Sequence, residues 1–275
     1  MTSTALLLTT LIGVLGKGGA SSPAEAPRLQ DPPPSYPQWN GALTFGALWT
    51  AGNTENETVS GAFNAQRRGA DDRWTLDLYT NYGKAQVAKD DPATPANEED
   101  TDVTTNNSGG GLKYDYFWSK QTYLFGNGSG KVDHVADLDL RYILGAGIGY
   151  QWKETEKLKW GTEAGLSYVD ENFDDDNFDA SFVAARLASN LTYQLSKTST
   201  FEQVAELLPS LEDSEDVLAK VDNRLKLNIT GKWIAQIQYV LDFDGSVPTG
   251  ANPGPDGKEE TDHRVVLSIG WAIGP

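Results

Sequence analysis

Residues 138–152 read LDLRYILGAGIGYQW, and the alternation in this stretch decides the fold. The even positions are Leu138, Leu140, Tyr142, Leu144, Ala146, Ile148, Tyr150 and Trp152. The odd positions are Asp139, Arg141, Ile143, Gly145, Gly147, Gly149 and Gln151. Successive side chains of a β-strand point to opposite faces, so a period of two gives one apolar and one polar face. The run is long enough for a tilted strand to cross a bilayer, which takes about 9–11 residues.

Working outward, the same period recurs. Leu158, Trp160, Ala164, Leu166 and Tyr168 oppose Lys159, Glu163 and Ser167. Val217, Ala219, Val221, Leu225, Leu227 and Ile229 oppose Lys220, Asp222, Arg224, Lys226 and Asn228. The spacing predicts strands at 39–50, 57–67, 73–83, 108–118, 122–128, 137–152, 158–169, 181–195, 199–208, 217–230, 233–244 and 262–273. Tight connections near 69–72, 119–121, 153–157, 196–198 and 231–232 alternate with longer ones at 84–107, 129–136, 170–180, 209–216 and 245–261. Short turns at one end and longer loops at the other are the pattern of an up-and-down membrane barrel. The fold expected is all-β, an antiparallel up-and-down transmembrane β-barrel of about 12 strands.

Tryptophan placement separates a membrane barrel from a soluble one. Seven of the eight, Trp39, Trp74, Trp118, Trp152, Trp160, Trp233 and Trp271, fall on the apolar phase beside a tight turn or a terminus; Trp49 lies at the other end. Indole prefers the boundary between acyl chains and water, so one ring of Trp reads as an interfacial girdle. Tyr123, Tyr150 and Tyr193 are expected in that ring, Tyr82 and Tyr168 in the opposite one. A secreted soluble barrel or sandwich would have to bury all seven in one layer and fill a wide interior. The tight turns and termini are therefore placed in the periplasm and the long acidic loops outside.

Composition agrees with this reading. Among 275 residues the net charge is −17 and there is no cysteine. The acidic balance argues against nucleic acid as a partner, and no disulfide framework or thiolate metal site is possible. Mean hydropathy is −0.45, and no run reaches the roughly 20 apolar residues of a spanning helix. The apolar stretch Ala5 to Gly16, followed by Ala24-Glu25-Ala26, reads as a signal peptide over 1–26, though its first residues lack Lys and Arg. Residues 27–38, with Pro32-Pro33-Pro34, read as a stiff linker, and 39–275 as the barrel. The location expected is the outer membrane of a diderm bacterium, with outer-membrane lipid and, during biogenesis, the barrel-assembly machinery as partners.

The polar phase carries charges of both signs. Asp139, Arg141, Glu163, Arg186, Glu202, Glu206, Lys220, Asp222, Arg224 and Lys226 are expected to face the lumen, together with Asp77, Lys113 and Asp115. Constant index sums across hairpins set Glu163 against Arg186, Glu202 against Arg224, Glu206 against Lys220, and Asp242 against Lys220. Such a lumen is either an aqueous pore for small ions and solutes or a closed polar core beneath a loop-displaying receptor or adhesion scaffold. No catalytic, cofactor or metal site is expected. His134 and His263 are the only histidines; a rim-located outer-membrane hydrolase, a third reading, would need one of them beside a serine and an acid, and no pair with suitable strand spacing stands out. Gly145, Gly147 and Gly149 lie inside a strand with no following helix, so they do not form a dinucleotide loop; room in the lumen or strand curvature explains them better. The acidic segments Glu98-Glu99-Asp100 and Asp170-Glu171 through Asp176 lack the spacing of a calcium loop.

The order of several short motifs resembles domain-of-unknown-function family 481, whose members are described as salt-induced outer-membrane proteins. The residues are Gly52-Asn53-Thr54, Tyr114-Asp115-Tyr116-Phe117, Gly145-x-Gly147-x-Gly149-Tyr150, Gly165-Leu166-Ser167-Tyr168, Pro209-Ser210-Leu211-Glu212-Asp213, Pro248-x-Gly250 and Asp262. The resemblance spans about 40–275 and implies an outer-membrane barrel with a stress-related envelope role, without catalytic residues.

Overall fold

In the computed structural model the described residues are 39–50, 56–88, 99–174, 179–213, 216–245 and 261–274. The expected leader and linker lie outside them. The strands, all the regular structure among these residues, are β1 (Trp39–Thr50), β2 (Asn56–Arg68), β3 (Asp72–Ala88), β4 (Glu99–Phe117), β5 (Thr122–Asp133) and β6 (Leu138–Glu154). The second half continues with β7 (Leu158–Phe173), β8 (Ala180–Gln194), β9 (Ser199–Pro209), β10 (Val217–Thr230), β11 (Trp233–Asp244) and β12 (Thr261–Ile273). Each strand pairs antiparallel with its sequence neighbours, and β1 pairs with β12, so the sheet closes into a barrel with no free edge. The tight turn between β10 and β11 is Gly231-Lys232, where Gly231 adopts a φ of 55°, a left-handed conformation that costs glycine little.

The apolar phases face outward. Phe45, Leu78, Leu112, Leu124, Leu144, Ile148, Leu166, Leu187, Ile237, Val265, Leu267 and Ile269 are all exposed on the outer wall. A predominantly apolar exterior on a closed barrel is what hydrocarbon demands and water disfavours. Buried residues instead sit inside, many of them polar or charged.

Three stretches differ from the sequence expectation. The β3–β4 hairpin runs well past 83 and 108, because Lys84, Ala85 and Gln86, opposite Val103, Asp102 and Thr101, give no apolar face to read. Strand β5 continues through Gly128 and Gly130 to Asp133, leaving only a four-residue turn where a longer loop was expected. At the start of β6 a bulge at Asp139 breaks the phase: Leu138 is buried inside while Leu140 is exposed outside.

The tryptophans gather at the tight-turn end. Trp39, Trp118, Trp152, Trp233 and Trp271 are exposed; Trp74 and Trp160 are half-exposed; the side chain of Trp49 lies outside the described residues. They meet one another or tyrosine: Trp233 with Trp271 at 5.2 Å, Trp152 with Trp160 at 5.8 Å, Trp74 with Tyr114 at 4.6 Å, Tyr150 with Trp152 at 4.6 Å. Trp152 and Trp160 donate to Thr162 and Ser189, hydroxyls on the same outer face. Tyr123 does not belong to this ring; it is fully buried inside. In lipid vesicles, Trp emission should therefore be quenched strongly by lipids brominated near the headgroup and weakly by mid-chain bromines. Strong mid-chain quenching would contradict a single interfacial band.

Candidate functional site: the barrel interior

The interior has two unlike halves. On the tight-turn side, a chain of ion pairs runs from β3 to β9. Arg73 donates to Asp115 (2.6 Å) and reaches Gln151 (3.4 Å). Lys113 lies 2.7 Å from Asp115 and also pairs with Glu163. Tyr123 Oη donates to Glu163 (2.8 Å), and Arg186 joins Glu163 (2.7 Å) to Glu206 (2.6 Å). Asp115 is 0% exposed and Glu163 3%, so both are sealed from water and depend wholly on these partners.

Aromatic rings interleave with the cations. Phe117, Tyr123 and Phe125 form one buried cluster. The guanidinium of Arg68 lies 3.7 Å over Phe117, and that of Arg186 lies 4.7 Å over Phe125. Arg68 also spans the turn-side mouth to Glu154 on β6 (3.7 Å).

The glycines of β6 make this arrangement possible. Gly149, Gly147 and Gly145 stand directly opposite Tyr123, Phe125 and Asn127. A Cβ on Gly149 would overlap the Tyr123 ring, and one on Gly147 would strike Phe125 and the backbone of β7. The bare rank lets the β5 rings lie across β6, so that Tyr123 reaches Glu163 on β7.

On the long-loop side, an apolar cluster of Val169, Phe182, Ala184, Leu208 and Leu218 fills the wall of β7–β10. Beside it lies a cavity of about 960 Å³, lined from β1–β6, the turn after β5, the end of β7 and β9–β12. The lining reaches Thr44, Asn64, Asp77, Arg224 and Gln236, and it holds more acids than bases. Below this floor, Lys226 pairs with Glu202 (2.8 Å), and Ala42 and Ile234 are buried. Two contacts join distant strands across the interior. Arg141, held by Glu171, pairs with Asp244 on β11, and Arg224 on β10 approaches Asp77 on β3 at 3.9 Å.

Nine of the ten charges expected in the lumen belong to these interior networks. The tenth, Asp139, does not: it is the extra residue of the β6 bulge and is exposed beside Asp174. The hydrogen bond and charge of Asp139 raise the Asp174 carboxyl above its ordinary range. Hairpin registers place Glu202 opposite Arg224, Glu206 opposite Lys220, and Lys220 opposite Asp242, as expected. Glu163 instead faces Ala188, and Arg186 faces Gly165, a displacement of two residues along the ladder that keeps both side chains on the inner face, since β7 runs on to Phe173 and moves the turn.

The partners chosen also shift. Glu206 pairs with Arg186, Glu202 with Lys226, and Arg224 with Asp222 of its own strand (2.6 Å); Lys220 lies 3.9 Å from Asp242. Long side chains lean along tilted strands and reach diagonal neighbours, which opposition alone does not rank. Sequence reasoning missed Arg73, Tyr123, Phe125, Glu171 and Asp244. The signal for the rings was register: Phe117 faces Tyr123 and Asp115 faces Phe125, so inward Asp115 forces both inward.

Of the acidic segments, residues 98 and 175–178 lie outside the described residues, and Glu171 belongs to β7, paired with Arg141. Among the described residues no cluster of His, Asp or Glu has the arrangement of a metal site.

Solved structures with a similar arrangement are membrane barrels. The NanC porin shares 9% identity, covering 84% of this chain and 98% of that one, with a TM-score of 0.48. The translocator domain of the autotransporter NalP from Neisseria meningitidis shares 12%, covering 98% and 94%, with a TM-score of 0.44. The KdgM porin shares 9%, covering 85% and 98%, with a TM-score of 0.40. No curated protein matches the chain. Residues 43–272 match the family model described as protein of unknown function, DUF481, and the chain, an outer-membrane β-barrel by its closed sheet and apolar exterior, belongs to that family.

Proposed function

We propose that this barrel is a narrow pore of the outer membrane, admitting small ions and polar solutes through a loop-side vestibule that ends on an ion-paired constriction. The observation that carries the reading is the cavity of about 960 Å³, lined by more acids than bases and floored where Arg224 meets Asp77. An acid-rich vestibule concentrates cations at its mouth. The constriction is held by side chains, whose rotamers change far faster than backbone opens, so small ions can pass without unfolding the wall.

A non-enzymatic role is part of the proposal. His134 lies exposed in the turn after β5, and His263 is hydrogen-bonded to Tyr239 (2.9 Å) on the outer face, away from any nucleophile–acid pair. A part in the response of the envelope to salt fits a vestibule whose hold on cations weakens as the Debye length shrinks.

Planar-bilayer recording of the refolded chain tests the reading. The expected result is a small unitary conductance with cation preference at low salt, and that preference should fall as salt rises. Anion selectivity would remove the electrostatic argument. Absence of current would favour the other reading, a closed scaffold that displays its loops, for which the water-excluded turn-side half is the supporting observation.

A further inference from the structure

We propose that the floor of the vestibule binds small organic ammonium ions, with Asp77 as the group that receives the charge. This deepens the pore reading by naming a solute class, and it rests on three features of the cavity.

The first is a carboxylate without a hydrogen-bonded counter-ion, although the charges of Arg224, Lys226 and Lys220 all act on it. Arg224 is the cation nearest Asp77, at 3.9 Å, beyond hydrogen-bonding range. Its guanidinium is already committed to Asp222 through Nε (3.2 Å) and Nη2 (2.6 Å). Asp222 is further held by Gln238, which donates to both carboxylate oxygens at 3.0 and 2.9 Å. Asp222 and Arg224 thus form a self-neutralising unit on β10, while the Asp77 side chain stands 48% exposed on the facing wall.

The second feature is a pair of unpartnered side-chain oxygens, one an amide acceptor and one a hydroxyl. Gln236 Oε1 and Ser268 Oγ are buried, line the same cavity and face each other across β11 and β12. Gln236 is 3% exposed, and neither atom has a hydrogen-bond partner among the described residues. A buried amide oxygen without a donor is costly, so a ligand that brings an N–H to Gln236 gains more than one that brings only acceptors, which the Ser268 hydroxyl alone could satisfy.

The third feature separates an organic cation from a bare metal ion. One flank of the cavity is apolar, formed by Val204, Leu208, Leu218, Val240 and Val266. A hydrated inorganic ion gains nothing from that flank, whereas the carbon skeleton of an ammonium compound does. The ring of Tyr79, two residues from Asp77 on the same face, already holds the ammonium of Lys220 at 5.4 Å, so its surface suits such a group.

Titration calorimetry on the detergent-refolded full chain tests the site, with ethanolammonium chloride as the ligand and ethylene glycol as its neutral counterpart. Ethanolammonium should bind the wild-type protein and ethylene glycol should not. Asp77→Asn should weaken binding by at least about tenfold, the loss expected for a charged hydrogen bond. Asp77→Glu should retain it to within a few-fold, and Glu156→Gln, at an exposed tight turn, should leave it unchanged. Migration in cold SDS gels verifies that each variant is folded.

Equal binding by wild type and Asp77→Asn, no heat with the wild type, or equal binding of ethylene glycol would each overturn the proposal. Displacement by potassium at the same concentration as ethanolammonium would overturn its organic part. Calorimetry needs no current, so the two readings fail separately. A barrel that binds ethanolammonium but never conducts defeats the pore, and one that conducts without binding defeats the site.

Discussion

Glu163→Gln should lower the free energy of unfolding, measured by urea titration in lipid vesicles, by about 3–5 kcal/mol, the cost of leaving a buried ion pair half-made. The side chain is the hub of the turn-side network: Lys113, Arg186 and the Tyr123 hydroxyl all converge on it. Gln keeps the shape but removes the charge and turns one acceptor oxygen into a donor, so Lys113 and Arg186 lose their shared counter-ion in a water-excluded site. The triple variant Lys113→Met, Glu163→Leu, Arg186→Met should cost less than the single change, because no uncompensated cation is left buried, although Asp115 then keeps Arg73 alone and the Tyr123 hydroxyl loses its acceptor. Were the single substitution to cost no more than about 1 kcal/mol, the network would be hydrated like a surface pair, and the turn-side half of the barrel would be open.

Gly149→Val should be nearly as damaging by a different route. The new side chain would occupy the place of the Tyr123 ring, which has no other path to Glu163. Overpacking typically costs about 1–3 kcal/mol, and loss of a hydrogen bond to a charged acceptor adds about 1.5–3 kcal/mol. The change should be rescued in part by Tyr123→Ala, which vacates the same volume. The pair should therefore be strongly non-additive in a double-mutant cycle. Additive effects would mean that the glycine rank serves strand curvature instead of the ring.

Strand number, order and most boundaries were legible in the sequence because a lipid-facing wall imposes strict alternation, and Trp placement marked one end. Legibility failed where that condition lapses. Beyond the apolar band, the positions that continue the phase of Tyr82 are Lys84 and Gln86, and residues 99–107 hold one apolar residue, Val103, so the extended β3–β4 hairpin carries no readable apolar phase. In β5 the outward positions after Leu124 are Gly126, Gly128 and Gly130, so the outer phase carries little apolar signal and inward Tyr123 was assigned to the outer ring. A single bulge at Asp139 reversed the phase of Leu138 with no local signal. The inward charges were readable as a set, but which acid meets which base depends on strand tilt and side-chain length, so Arg186 serving both Glu163 and Glu206 was not.

Thiol accessibility tests the central claim, a vestibule reached from the long-loop side above a filled turn-side half. The chain has no cysteine, so one introduced thiol reports alone. Asn64→Cys places it at the vestibule floor, and Ala188→Cys places it opposite Glu163 in the buried network. In vesicles of one orientation, a membrane-impermeant thiol reagent should label the first from the loop side and leave the second untouched until the barrel is unfolded. Rapid labelling of Ala188→Cys from the turn side, or failure to label Asn64→Cys from the loop side, would contradict the account.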